Sequence, residues 1–253
     1  GRPRGKIWSS IFSDDFFITI GQVPFYDSWA LIEVAGKKIL NANDCILESP
    51  DRVKDIKSIT SSIDILFTQF SYANWVEGGI EDKSNRLLLA QEKLDRIKLQ
   101  SDVLEPKFIV PFASMVRFCH AENYYMNDAI NTPTTTVEFI SKYTLAKPFL
   151  MEPYEIWNGV LEKDNSQAIE YWEQAYNNAL ERPLIKQKKS YSIEEIEEVC
   201  MKMVERVMSR NNMFFMHLLN LLGLLPSQVI KVIDLDQSIR FSWGRGLTTV
   251  GVS

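Results

Sequence analysis

Along the first hundred or so residues the apolar positions follow two periods. Phe16 to Gln22 is β-branched and aromatic, Trp29 to Val34 is a second strand-like run, and Lys38 to Asn41 a third, with Gly36 marking a hairpin turn between the last two. Ile63 to Phe70 reads as a buried strand. Leu87, Ala90, Leu94 and Ile97 then recur every three or four residues, which predicts an amphipathic helix over Ser84 to Gln100. Phe108-Ile109-Val110 follows as a short strand closed by Pro111. Strand, helix and strand with short links make a βαβ unit, hence a parallel strand pair in an α/β layered fold.

The pattern changes after Pro133. Strand signals fade, Asp164 and Asn165 stand as N-caps, and Ser166 to Leu180 reads as a helix stopped by Pro183. Lys186 to Lys189 is a basic, solvated loop. Ser192 with Glu195 forms a capping box. Ile193, Ile196, Val199, Met203 and Val207 share one face of the helix that follows, a core face, and this helix extends to Leu222 with Gly223 as its stop. His217 lies in its apolar end and reads as a core or interface histidine. Val229 to Leu235, Ile239 to Trp243 and Leu247 to Val252 close the chain as strands. The expected divisions are therefore 1–132, an α/β half domain; 133–190, a helical linker region; and 191–253, a helix with a β-hairpin extension.

Charge narrows the function classes. With 28 Lys+Arg against 33 Asp+Glu the net charge is −5, which argues against a general nucleic-acid binder, since neutralising phosphates needs a positive surplus. The most apolar stretch, Met213 to Leu225, holds His217, Asn220 and Gly223 and falls short of the ~20 apolar residues a spanning helix requires. No membrane partner is expected. Cys45, Cys119 and Cys200 are sparse and odd in number, which suits free thiols in a reducing, cytoplasmic setting. The chain does not begin with methionine, and we expect a fragment or processed form.

Three segments carry candidate chemistry. Asn41-Ala42-Asn43-Asp44-Cys45 leaves a strand end, where open α/β sheets place ligands, although Asn and Asp there are also common turn formers. Val110 to Asn123 also follows a strand and holds His120, one of two histidines in the chain, beside Glu122 and Asn123. A neutral imidazole is the commonest metal ligand, yet a single histidine is more often structural. Phe67 to Trp75, with Gly78-Gly79 nearby, runs from a strand into a polar, aromatic loop able to line a pocket. No phosphate-binding glycine loop, dinucleotide fingerprint, nucleophile elbow or zinc ribbon is present.

The run Asp27 to Cys45, together with Val110 to Asn127 (Pro-Phe-Ala-Ser, then Cys-His-Ala-Glu-Asn), resembles the second half of a metallo-β-lactamase-fold protein. The branch it resembles is the CMP-N-acetylneuraminate hydroxylase-like and sugar-phosphate lactonase-like group. The resemblance implies half of an αββα sandwich followed by a mostly helical region and a C-terminal β meander. By the same resemblance Asp44 matches an aspartate that bridges or ligates metal, and His120 a late histidine ligand; no catalytic residue is assigned. It implies a divalent cofactor (zinc, iron or manganese), absent or incomplete in this chain. The His-x-His-x-Asp-His signature of the first half does not occur here, nor do the paired Cys and His of a Rieske cluster.

The implied activity is the C-terminal part of a metal-dependent hydrolase, or of an oxidoreductase-like relative, acting on a small sugar-derived anion. The alternative is a metal-free scaffold or interaction module of the same fold. Two structural expectations follow. Asp44 and His120 share one sheet edge, and the sheet face carrying Ile18, Ile32, Ile39, Ile65, Phe67 and Ile109 needs a cover. That cover is a homodimer, a missing N-terminal half, or the helix from Ser192.

Overall fold

The computed structural model describes residues 7–13, 15–23, 27–76, 79–159, 162–186, 190–225, 227–232, 235–243 and 246–250. The chain divides into two compact units, Gly1–Lys186 and Gln187–Ser253.

The first unit is built on a seven-stranded mixed sheet in which every strand neighbours the next in sequence. Strands β1 (Ile7–Ser13), β2 (Phe16–Gln22), β3 (Ser28–Val34) and β4 (Lys37–Asn43) form an antiparallel meander. The β3–β4 turn is the expected hairpin, with positive φ at both Ala35 and Gly36, the backbone sign of the turns that match strand twist. Helix α1 (Pro50–Thr60), strand β5 (Ile65–Gln69), helix α2 (Lys83–Leu104) and strand β6 (Phe108–Phe112) follow. β4, β5, β6 and the two-residue β7 (Lys147–Pro148) pair in parallel. The α/β class and the β5–α2–β6 unit are thus as the sequence predicts. Helices α3 (Pro133–Tyr143) and α4 (Ser166–Leu180) complete the unit. Neither β1 nor α1 was signalled by periodicity: β1 mixes serines with apolar residues, and α1 shows only Val53, Ile56 and Thr60 as buried positions.

Residues directly opposite in a ladder share a face, so the register sorts the core. Leu31, Leu40, Leu66 and Ile109 face the helices and pack with Val53 and Ile56 of α1, Leu94 and Ile97 of α2 and Ile140 of α3. Ile65, Phe108 and Val110 point the other way, against Phe149, Met151 and Trp157, with the Phe149 and Trp157 rings stacked at 3.8 Å. Ile109 therefore belongs to the opposite face from the one expected, because a strand alternates its side chains and Ile109 pairs with Leu66. Helix α2 also differs in detail. Its buried stripe is Arg86, Ala90, Leu94, Ile97 and Leu104, whereas Leu87 is 51% exposed.

The second unit holds α5 (Ile193–Arg210), α6 (Met213–Leu221) and an antiparallel meander of β8 (Gln228–Val232), β9 (Gln237–Ser242) and β10 (Gly246–Val250). The capping box forms as expected, Ser192 accepting from the Glu195 amide. The single long helix does not. Asn211 folds back to donate to the Val207 carbonyl, and Asn212 caps a new helix by accepting from the Phe215 amide. The Met-rich face of α5 is not a core: no α5 residue is buried, and Val199 is 66% exposed. His217 is likewise exposed. Of the basic loop Lys186 to Lys189, residues 187–189 lie outside the described residues. No described helix is long and apolar enough to cross a membrane.

Candidate functional site

The C-terminal ends of the parallel strands are where the sheet leaves backbone and polar side chains uncommitted. At the end of β4 the Asn41 side chain accepts from the Asn43 amide at 3.0 Å, and Asn43 takes a positive φ of 49°. The ladder to β5 shifts register between Asn41 and Asn43. This local turn, in which asparagine bonds its own chain two residues on, lifts Asp44 out of the sheet while Cys45 turns inward. The Cys45 amide bonds the Ala42 carbonyl at 3.0 Å and its side chain is 2% exposed. Burial, then the charges of Asp27 and Asp44, push its thiol up to about 12. Both carboxylates therefore lie close to one buried thiol, which is inert as a nucleophile at neutral pH.

Asp27, Asp44, Gln69, Asn74, Lys93 and Ile46 line a pocket of about 590 Å³ at these strand ends. That volume falls in the range of small-molecule sites, roughly 300–1,000 Å³. Each wall has a structural reason. Asp27 opens β3, its carbonyl accepting from Val23 at 2.8 Å and its carboxylate from the Ser28 amide at 3.0 Å. Gln69 ends β5 and is 7% exposed, and its Oε1 accepts from Lys93 Nζ at 3.0 Å. The loop after β5 is fixed from two sides. Ser114 Oγ accepts from the amides of Phe70 and Ser71 at 3.1 Å each, and Asn131 Nδ2 donates to the carbonyls of Phe70 and Ala90. The polar loop expected to line a pocket does so.

Lys93 projects from the buried stripe of α2. Among the described residues it has one hydrogen bond, to the neutral Gln69 amide, and no ion pair. Burial, then the neighbouring Arg96 charge, lowers its proton affinity, against the opposing pull of Glu48, Asp44 and Glu92. Arg96 itself is 8% exposed and is paired with Glu48. Asp44 makes no hydrogen bond or ion pair among the described residues.

Of the two residues expected as metal ligands, only Asp44 lines this pocket. His120 follows β6 and is exposed. Its amide accepts no role in the pocket: it donates to Asn123 Oδ1 at 3.1 Å, and the residue forms a parallel bridge with Ile185. Glu122 is exposed beside it. Among the described residues no group of three or more His, Cys, Asp or Glu is placed to hold a metal ion. A stable site uses three or four such donors. The pocket instead offers two carboxylates and a lysine, so the described residues do not by themselves fit a resident metal. Sequence reasoning missed Asp27 and Lys93. The available signal for Lys93 was its position three residues after Ala90 and one before Leu94, on the apolar face of the predicted helix.

A second cavity, about 450 Å³, is lined by Arg117, Asp128, Thr134, Glu173 and Tyr176 among others. Its polar groups are largely committed. Asp128 is paired with Arg86, Thr134 bonds Glu173 at 2.8 Å, and Arg117 donates from Nη2 to the Arg182 carbonyl at 2.9 Å, although its buried Nε has no partner among the described residues. Burial pushes the Tyr176 hydroxyl up to about 12.

No family model matches this chain, and no curated protein matches it. Part of the chain aligns with the solved structure of CmlA, a diiron β-hydroxylase from Streptomyces venezuelae, at 11% identity, over 55% of this chain and 31% of that one, with a TM-score of 0.35. A mutant form of the CmlA β-hydroxylase aligns at 13% identity, over 52% of this chain and 29% of that one, with a TM-score of 0.31. The chain thus spans less than a third of either protein's length.

Proposed function

We propose that Gly1–Lys186 is a metallo-β-lactamase-like half domain whose strand-end pocket binds a small hydroxylated anion. The observation that carries this reading is Lys93 Nζ, which lines a polar pocket with a single neutral partner. An ammonium has three donors, so two remain for an anionic oxygen. Asp27 and Asp44 are acceptors suited to ligand hydroxyls, and the Asn74 and Gln69 amides supply both donors and acceptors. Ile46 gives one apolar edge.

Isothermal titration of the full chain with glycerol 3-phosphate tests the reading. Saturable binding that weakens about tenfold or more in Lys93→Met, the equivalent of about 1.4 kcal/mol, supports it. Equal titration curves for the two proteins would contradict it.

The second reading is the metal-dependent hydrolase or oxidoreductase-like relative, with Asp44 and His120 among its ligands. The pair of carboxylates at the strand ends favours it. It requires further donors from another segment or a partner, such as a second copy or an N-terminal half. Zinc, iron(II) and manganese titrations, with and without that half, distinguish the two readings. Stoichiometric metal held only by the combined halves favours the enzyme.

A further inference from the structure

Resting on the pocket reading, we propose that Lys93 is a nucleophilic amine that condenses reversibly with a small hydroxylated aldehyde or ketone in the strand-end pocket. The geometry is that of an amine held for attack rather than of a structural cation. A buried or half-buried lysine is ordinarily paired with a carboxylate, as Lys163 is with Glu155 at 2.5 Å. Lys93 is half-buried on a rigid helix, opens onto a cavity, and is steered by the carbonyl oxygen of Gln69, which holds the nitrogen without neutralising it. The neighbouring Arg96 and the loss of water around Lys93 both ease loss of the ammonium proton, so the cation that meets an anion can also give up a proton and expose a nucleophilic lone pair. Glu48, Asp44 and Glu92 act in the other direction, and Asp27 is the remaining acid in the pocket lining.

The chemistry balances within the pocket and needs no oxidant or reductant. The Lys93 lone pair adds to the carbonyl carbon, the N–C bond forms, and the C=O π pair moves to oxygen. A pocket carboxylate, Asp44 or Asp27, takes a proton from the nitrogen and returns one to that oxygen. The nitrogen lone pair then closes the C=N bond as the C–O bond breaks, the carboxylic acid protonates the departing hydroxyl and its carboxylate takes the remaining N–H proton, so water leaves and amine plus carbonyl gives imine plus water. Hydrolysis is the same path reversed. Hydroxyls on the carbonyl compound meet the second carboxylate and the Asn74 amide.

The test is site-resolved reductive trapping on the full chain at pH 7 with glycolaldehyde and sodium cyanoborohydride, followed by peptide mass mapping. Lys98, on the exposed side of the same helix, is the internal reference. We expect Lys93 to be alkylated about tenfold faster than Lys98, as an activated amine requires. Lys93→Arg, with an unchanged circular dichroism spectrum, should lose this fast site while Lys98 keeps its rate. Asp44→Asn should slow Lys93 several-fold and leave Lys98 unchanged. Alkylation of Lys93 at or below the Lys98 rate overturns the proposal. Lys93-dependent glycerol 3-phosphate binding alongside slow trapping would overturn the imine alone, leaving the pocket reading intact. Fast trapping without glycerol 3-phosphate binding would sink the anion reading instead.

Discussion

Arg86 and Lys93 stand two turns apart on the same buried face of α2, and the fold treats their charges in opposite ways. Arg86 is 1% exposed and fully engaged. Its Nε and Nη2 each donate to an Asp128 oxygen at 2.8 Å, Nη1 and Nη2 donate to the carbonyls of Gly79 and Ile80, and the Tyr125 ring lies 4.9 Å from its guanidinium. Lys93 has one neutral bond and a cavity. A buried charge whose nitrogens are all hydrogen-bonded holds structure together; a half-buried charge left open is available to a ligand. Two cations on one stripe thus separate a structural device from a binding one.

The comparison breaks most sharply at Arg86. Arg86→Ala removes a buried cation, leaves Asp128 unpaired at 32% exposure and frees the Gly79 and Ile80 carbonyls, and should cost about 3 kcal/mol in urea denaturation. A loss below about 1 kcal/mol would mean Arg86 is no more structural than a surface charge. The same pair predicts an acid limb. The Arg86 hydrogen bond holds the Asp128 carboxyl below the ordinary carboxylate range, although burial opposes it. The folded state therefore binds the proton less readily than the unfolded chain does. Its stabilisation is complete above the ordinary range and is lost as pH falls through the depressed folded value. Asp128→Asn should flatten that limb in a pH series of denaturation curves; an unaltered slope would assign acid sensitivity to other groups.

An intermediate effect is expected where packing, not charge, shapes the pocket wall. A Cβ at Gly21 would lie 2.1 Å from Cζ2 of Trp29, a core ring that is 2% exposed. Gly21→Ala should cost ~1–3 kcal/mol by overpacking. Because Trp29 follows Asp27 by two residues, this change should also weaken ligand binding while Lys93 itself is untouched. Wild-type thermal stability in this variant would show that the β2–β3 hairpin yields without strain.

The smallest stability effect belongs to Lys93. Lys93→Met removes a partly desolvated charge with one neutral bond, so stability should stay within about 1 kcal/mol of wild type or rise, even as binding is lost. A loss comparable to Arg86→Ala would make Lys93 structural and dissolve the contrast.

How much of this was legible in the sequence depends on the kind of signal. β2 was readable from its β-branched and aromatic run Phe16 to Gln22, and α4 from its stop before Pro183, although Asn165, expected to cap it, instead accepts from the Leu150 amide and donates to the Pro148 carbonyl. Asp44 was visible as a carboxylate beyond a strand, since the asparagines around it announce a turn. The break between α5 and α6 was missed because Asn211 and Asn212 interrupt an otherwise continuous apolar run, and capping asparagines act through local bonds that hydropathy does not register. Asp27 and Lys93 were missed for a different reason. Their meeting at one pocket depends on β3, β5 and α2 coming together, a long-range fact that no short motif encodes. Arg86 and Lys93 at seven-residue spacing on an apolar stripe were readable in principle, as charges where a helix should be oily.

The central claim is that the strand-end pocket, rather than the cavity between α3 and α4, receives the ligand. Amide chemical shifts of the isotope-labelled full chain, followed during glycerol 3-phosphate titration, decide this directly. The account predicts saturable shifts grouped at Asn43 to Cys45, Gln69 to Asn74 and Lys93. Shifts confined to Thr132, Thr134, Glu173 and Tyr176, or no shifts at saturating ligand, would contradict it.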